Sequence, residues 1–211
     1  IDSEKIIILD FGSQYTQLIA RRIRELGVFS EVLPCNTSFK KILKVNPKGI
    51  IISGGPESVN AKNTLTVDSR ILDSEIPVLG ICYGMQLMAK HFEGLVNTSK
   101  KREFGHAEIK LSNSKLFEAL KIPKLNVWMS HGDKVTRLPK SFKKIASSKN
   151  SSIAAFENNS IKKYGLQFHP EVTHTEKGHQ ILKTFVREIC DCQAKWRPKN
   201  IVDKLVGDIK K

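Results

Sequence analysis

The sequence predicts an α/β fold: a mostly parallel central sheet with helices on both faces, and a smaller antiparallel sheet from the second half. Three observations carry this. The apolar runs "KIIILD", "KGIIIS" and "PVLGIC" do not alternate with polar residues, so each reads as a strand buried on both faces. Segments of helical spacing separate them, and strands alternating with helices argue for parallel pairing through crossover helices. From "AEIKL" onward the runs are short and strand-like, with no helical pattern between them.

In order, "KIIILD" is a strand, and in "FGSQYTQLIARRIRELG" Tyr15, Leu18, Ile19, Ile23 and Leu26 fall near helical spacing before Gly27 supplies the stop. "VFSEVLP" is the second strand, "TSFKKILKV" a short helix halted by Pro47, and "KGIIIS" the third strand. After the loop "GGPESVN", a helix around Val67 to Ser74 leads to "PVLGIC", the fourth strand, and to a helix in "YGMQLMAKHF". "AEIKL", "LNVWMSH", "DKVTRL", "KIASS", "SIAAFE" and "KYGLQFH" read as further strands. "TEKGHQILKTFVREICD" is a last helix with Ile181, Phe185 and Ile189 on one side. Residues 1–192 therefore read as one domain. Residues 193–211 read as a linker and the start of a further helix, and with Ile1 at the other end the chain is expected to be a piece of something longer.

The net charge of +14 raises a nucleic-acid partner, but that needs clustered cations. The lysines are spread along the whole chain and aromatics are only 7%, so a lysine-rich solvated surface is the better reading and no nucleic-acid partner is expected. No run approaches the roughly 18 to 20 apolar residues of a membrane helix, and no basic-then-apolar leader opens the chain. A cytoplasmic protein without a membrane partner is expected. Cys35, Cys82, Cys190 and Cys192 are too few for a disulfide scaffold, and Cys190-Asp191-Cys192 lacks zinc-ligand spacing, so no metal site is expected.

The chemistry concentrates in "GICYGMQ". Cys82 ends an apolar strand run and begins a helical one, with Gly80 and Gly84 two residues away on either side. A nucleophile elbow needs this arrangement, because the sharp turn that exposes its central residue tolerates only small neighbours. A helix N-terminus and a nearby histidine both favour the thiolate, the reactive form of cysteine. In "GLQFHPEVTH", His169 ends a strand-like run, and Glu171 two residues on can share its face and orient it. His131 in "MSHGD" is the rival base; His91, His106, His174 and His179 have no comparable setting. The amide of Tyr83 is one candidate for stabilising an oxyanion, and the glycine loop "SGGPES" is the natural source of a second. That loop also resembles the phosphate loop of ATP pyrophosphatases, but Pro56 removes an amide and Glu57 would repel phosphate.

With "GICYGMQ" and "QFHPE" in this order, the chain resembles the class I, or triad, glutamine amidotransferases, whose fold is flavodoxin-like. "DFGSQYTQLIARRIRE", "SGGPESV", "REFG", "WMSHGDKV" and "FHPEVTHT" narrow the resemblance to the amidotransferase domains of the GMP synthase family. The resemblance implies that Cys82 attacks the side-chain amide of L-glutamine, that His169 protonates the departing ammonia, and that water then cleaves the γ-glutamyl thioester. It also implies that Gly55 and Tyr83 supply the oxyanion amides, that Gln86 with Ser130, His131, Gly132 and Asp133 grips the amino acid, and that Asp133 takes the ammonium. It further implies an ATP pyrophosphatase (synthetase) partner, as a domain or as a separate chain, that converts xanthosine monophosphate to GMP and uses ATP and Mg2+. No cofactor is implied for this chain, and the segment from Arg102 to Gly105 is a candidate to face that partner.

Overall fold

The computed structural model describes residues 4–198, so most of the helix expected in the tail lies outside the described residues. β1 (Lys5–Asp10), α1 (Thr16–Glu25), β2 (Phe29–Pro34), α2 (Phe39–Val45), β3 (Gly49–Ile52), α3 (Ser69–Asp73), β4 (Val78–Ile81) and α4 (Tyr83–His91) follow the expected alternation. Then come β5 (Leu95–Leu111), β6 (Lys124–Arg137), β7 (Lys143–Ser148), β8 (Ala155–Asn158), β9 (Lys163–Leu166) and α5 (Gly178–Lys183). Among the described residues, no helix is long and apolar enough to cross a membrane.

The strands form one nine-stranded sheet in the order β2-β1-β3-β4-β9-β8-β7-β5-β6. β2, β1, β3, β4 and β9 pair in parallel; from β9 through β8, β7 and β5 to β6 the pairing is antiparallel. The antiparallel strands of the second half therefore continue the parallel sheet instead of forming a separate smaller one. β9 is the hinge of this arrangement, parallel to β4 on one edge and antiparallel to β8 on the other.

Side-chain alternation explains why the central strands are apolar throughout. Ile6, Ile8, Ile51, Leu79 and Ile81 pack on one face with Ile19, Ile23, Ile181 and Phe185 from α1 and the last helix. Ile7, Leu9, Ile50, Ile52 and Val78 pack on the other with Ile42, Ile71, Met85 and Met88 from α2, α3 and α4. Fully burying one such side chain contributes roughly 1.5–3 kcal/mol, so both faces anchor the sheet on which the candidate site stands. Local signals set the helix ends. The Ser38 hydroxyl accepts from the Lys41 amide at 3.2 Å to cap α2, and Asn46 closes it in the left-handed region at φ 53°.

Three elements differ from expectation. "LNVWMSH" and "DKVTRL" are one strand, β6, because "GD" between them stays in register with β5. β5 begins at Leu95, well before "AEIKL", and its charged stretch pairs with β6 after a break in which residues 99–102 lie opposite Gly132. The last helix is α-helical only to Lys183 and continues as a π-helix over Thr184–Ile189, where the Cys190 amide bonds the Phe185 carbonyl at 2.8 Å. Ile181, Phe185 and Ile189 are all buried along it, as their spacing predicts.

Candidate active site

The carboxyl ends of parallel strands are where open α/β sheets place their ligand crevices. Here the ends of β1, β3, β4 and β9 deliver Phe11, the Ser53-Gly54-Gly55 loop, Cys82, and the Gln167 to Glu171 segment to one edge.

Cys82 sits between β4 and α4 with φ 54° and ψ −106°, a backbone conformation that L residues rarely adopt. Its amide bonds the Leu166 carbonyl of β9 at 2.7 Å, and its carbonyl accepts from the Gln86 amide at 3.1 Å, so both sides of the turn are tied down. The flanking glycines are required by contact. A Cβ on Gly80 would lie 2.5 Å from the Gly84 carbonyl oxygen, and one on Gly84 would lie 2.4 Å from the Ile52 carbonyl oxygen and 2.9 Å from the Ile52 side chain. Gly84→Ala adds about 1 kcal/mol of helix propensity. The clash with the β3 backbone opposes it, and overpacking costs about 1–3 kcal/mol or more. The net expectation is a destabilised chain, read as a lower urea midpoint; an equal or higher midpoint would contradict this account of the elbow.

His169 follows β9, and its main chain is fixed on both sides: its amide bonds the Trp128 carbonyl at 3.1 Å, and its carbonyl accepts from the Thr175 hydroxyl at 2.6 Å. Its Nδ1 meets Glu171 Oε1 at 2.7 Å, which leaves Nε2 as the ring nitrogen available to the thiol. A Cβ on Gly54 would stand 3.2 Å from the His169 ring and 3.5 Å from Cys82 Cβ, so the absent side chain of Gly54 leaves the two groups facing one another. The edge of the Tyr15 ring closes the far side, with ring centroids 5.2 Å apart. Glu171 is buried, and its carbonyl accepts from Arg22 Nε at 2.9 Å, which ties the segment to α1.

Burial opposes a charge on His169, but the Glu171 carboxylate and the adjacent Cys82 sulfur outweigh it and push its pKa up to about 10. The arrangement favours an imidazolium beside a sulfur, so a proton is in place for a leaving amine. A raised folded-state pKa means that this group's contribution to stability is complete below the unfolded value near 6.5 and is lost as pH rises towards 10. Urea unfolding of the native chain and of His169→Asn is therefore expected to show a stability difference that shrinks from pH 6 to pH 10. A constant difference would contradict the assigned pairing.

Gly55, Tyr83, Gln86, Ser130, His131, Gly132 and Asp133, all singled out by sequence, line one cavity of about 310 Å3 together with Cys82. The amide of Tyr83 is at the first turn of α4, where amides have no intrahelical acceptor. Gly55 fits only without a side chain, since its Cβ would lie 2.9 Å from the Phe11 carbonyl oxygen. Asp133 Oδ2 accepts from the Ser58 hydroxyl, and the Asp133 carbonyl accepts from Gln86 Nε2 at 2.9 Å. His169 and Glu171 are not part of the cavity wall. His131, the rival base, has both ring nitrogens engaged elsewhere, with the Asp133 carbonyl at 2.7 Å and Glu103 Oε2 at 2.8 Å. His91 pairs with Asp73, while His106 and His174 pack against the Trp128 ring.

The sequence placed Arg102 and Phe104 only in a segment expected to face a partner, and it gave Gln167 no role. Arg102 and Phe104 join the wall, and the Arg102 side chain lies over Gly132. Gln167 Nε2 reaches Cys82 Sγ at 3.6 Å, and the Ser130 carbonyl lies 3.4 Å from the same sulfur. Gln167 stands in the quoted "QFHPE" motif, and strand alternation sends it and His169 to the same face, a signal that was available.

Similarity to known proteins agrees with this geometry. The glutamine amidotransferase class-I family matches residues 7–189. The chain belongs to that family. It is 50% identical over 217 residues to the GMP synthase [glutamine-hydrolyzing] of Haemophilus influenzae strain PittGG, an alignment that takes in all of this chain and 42% of the relative. Against the GMP synthase [glutamine-hydrolyzing] of Ruthia magnifica it is 50% identical over 214 residues, 41% of that protein. The chain thus spans about two fifths of the length of the curated relatives it matches. Among solved structures, a putative GMP synthase subunit from Thermoplasma acidophilum superposes with a TM-score of 0.80 at 31% identity, covering 90% of this chain and 94% of that one. A glutamine amidotransferase from Thermotoga maritima gives 0.75 at 18% identity over 90% and 99%, which speaks for the amidotransferase fold alone.

Proposed function

We propose that this amidotransferase chain is the glutamine-hydrolysing part of a GMP synthase, with Cys82 as nucleophile, His169 as acid and base, and Glu171 as its orienting partner. The observation that carries the reading is Cys82 on a strained elbow, beside a Glu171-paired His169, opening onto a cavity with amide and carboxylate groups. L-Glutamine enters with its side-chain amide towards Cys82. Asp133 and Gln86 complement the α-ammonium, and Arg102 brings a guanidinium for the α-carboxylate.

The Cys82 thiolate attacks the amide carbon, and the oxyanion that forms is met by the amides of Gly55 and Tyr83; losing one such donor costs roughly 3–4 kcal/mol. His169 gives its proton to the nitrogen as the C–N bond breaks, which releases ammonia and leaves a γ-glutamyl thioester. The now neutral His169 takes a proton from water, the hydroxide attacks the thioester, and glutamate leaves with the thiolate restored. The ammonia then serves a synthetase partner, as a domain or as a separate chain, that aminates xanthosine monophosphate. The ATP and Mg2+ of that step belong to the partner, this chain takes no cofactor, and the cytoplasm is the compartment for such chemistry. Mixing the chain with its cognate synthetase domain, ATP, Mg2+ and xanthosine monophosphate should give GMP formation that depends on glutamine. GMP formation with free ammonia but none with glutamine would reject the assignment.

A further inference from the structure

We propose that Glu103 is a positioning residue of the glutamine pocket, acting through His131 to hold in place the Asp133 carbonyl that orients Gln86 and, through it, Gln167; the inference rests on the glutaminase reading above. Six polar groups, counting the Asp133 carbonyl, form one relay that ends at Cys82. The Ser151 hydroxyl donates to Glu103 Oε2 at 3.1 Å, and the same oxygen meets His131 Nε2 at 2.8 Å. His131 Nδ1 meets the Asp133 carbonyl at 2.7 Å, and that carbonyl also takes Gln86 Nε2 at 2.9 Å. Gln86 Nε2 reaches Gln167 Oε1 at 3.3 Å, and Gln167 Nε2 reaches Cys82 Sγ at 3.6 Å.

The chemistry of each group gives the relay a direction. A carbonyl oxygen only accepts, so the Asp133 carbonyl requires a proton on His131 Nδ1 and the NH2 end of Gln86. Gln86 then has both amide hydrogens committed, one to Asp133 and one to Gln167 Oε1, and its own Oε1 is left as an acceptor for an ammonium group. Because Gln167 presents its oxygen to Gln86, it must present its NH2 to Cys82 Sγ. Reversing any one amide would set two acceptors or two donors against each other.

Glu103 holds the outer end of this relay. Its side chain is only 10% exposed and that of His131 3%, so neither has solvent as a substitute partner. Burial disfavours the Glu103 carboxylate, but the hydrogen bond and charge of His131 outweigh it and hold the carboxyl below its usual range. The pairing orients the imidazole, as a second carboxylate does for many functional histidines. Without Glu103, the ring can turn away from the Asp133 carbonyl, which then loses one of the two donors that hold it where Gln86 meets it.

The test is glutamine binding by calorimetry in a Cys82→Ala background, with the synthetase partner present, so that no turnover intervenes. Glu103→Ala should weaken glutamine binding at least tenfold. Glu103→Gln, whose amide can still donate to a neutral His131 that keeps its Nδ1 proton on Asp133, should stay within about threefold. Ser151→Ala, one step further out, should give an intermediate loss, and melting temperatures should stay within a few degrees throughout. Equal affinity in all variants would overturn the inference, as would equal losses for Glu103→Ala and Glu103→Gln, or a loss that tracks a fall in melting temperature. No binding with Cys82→Ala alone would instead remove the glutaminase reading, and this inference with it.

Discussion

Cys82→Ala is expected to lower glutamine hydrolysis by about 10⁴-fold or more while the chain stays folded. Removing the sulfur closes the proposed covalent route, and the proposed oxyanion donors and binding groups cannot replace it. The fold should survive, because the cysteine is tied to β9 and α4 through its main chain, with the Leu166 carbonyl at 2.7 Å and the Gln86 amide at 3.1 Å. Alanine keeps both bonds and adds no volume beside Gly80 and Gly84. Steady-state ammonia release, with a melting curve as the folding control, reads the effect. Residual activity within tenfold of native would mean that another group attacks the amide.

The second large effect is expected for Glu171→Gln, with a fall of roughly 10²- to 10⁴-fold in glutamine hydrolysis. Glutamine matches the glutamate in size, and its carbonyl can still accept from His169 Nδ1, so the geometry is kept and only the charge is lost. Glu171→Ala is a poorer probe. It would leave a buried imidazolium without its partner, and breaking such a pair costs about 3–5 kcal/mol in stability. With the charge gone, the main influence that holds the His169 pKa near 10 disappears. Fewer molecules then carry the proton that ammonia needs at neutral pH, and the alkaline limb of the rate profile should move to lower pH. An unchanged rate and profile would show that Glu171 has no part in the chemistry.

The parallel half of the sheet was legible because its signals are local. A strand buried on both faces must be apolar at every position, and Ile6 to Leu9 and Ile50 to Ile52 meet that condition within a few residues. The elbow was legible for a similar reason, since two close backbone contacts demand two glycines at fixed spacing around one cysteine. The pairing of His169 with Glu171 was expected from strand alternation, and it is present, although β9 ends at Leu166 and the two residues stand in the turn that follows.

What escaped the reading is long-range. The stretch from Leu95 to Gly105 buries only Val96 and carries its positive charges in the break at residues 99–102, and its strand character comes from pairing with β6 on either side of that break. Whether the antiparallel strands join the parallel sheet is decided by β9 lying between β4 and β8, which no local pattern records. Glu103 was hidden for the same reason. Its partner His131 is opposite it across the β5–β6 pairing, and beside a break in register that counting along the chain cannot anticipate. The π-helix at Thr184–Ile189 keeps the apolar spacing of an α-helix and so reads as one.

The central claim is that Cys82 forms a covalent intermediate with the carbon of a bound glutamine side chain. The measurement that tests it most directly is the intact mass of the chain after incubation with an electrophilic glutamine analogue such as a diazo-ketone, with its synthetase partner, ATP and xanthosine monophosphate present. The account expects one adduct, on Cys82, suppressed by excess glutamine and lost in Cys82→Ala. An adduct on another residue, labelling that glutamine does not suppress, or no adduct in the complete mixture would contradict it.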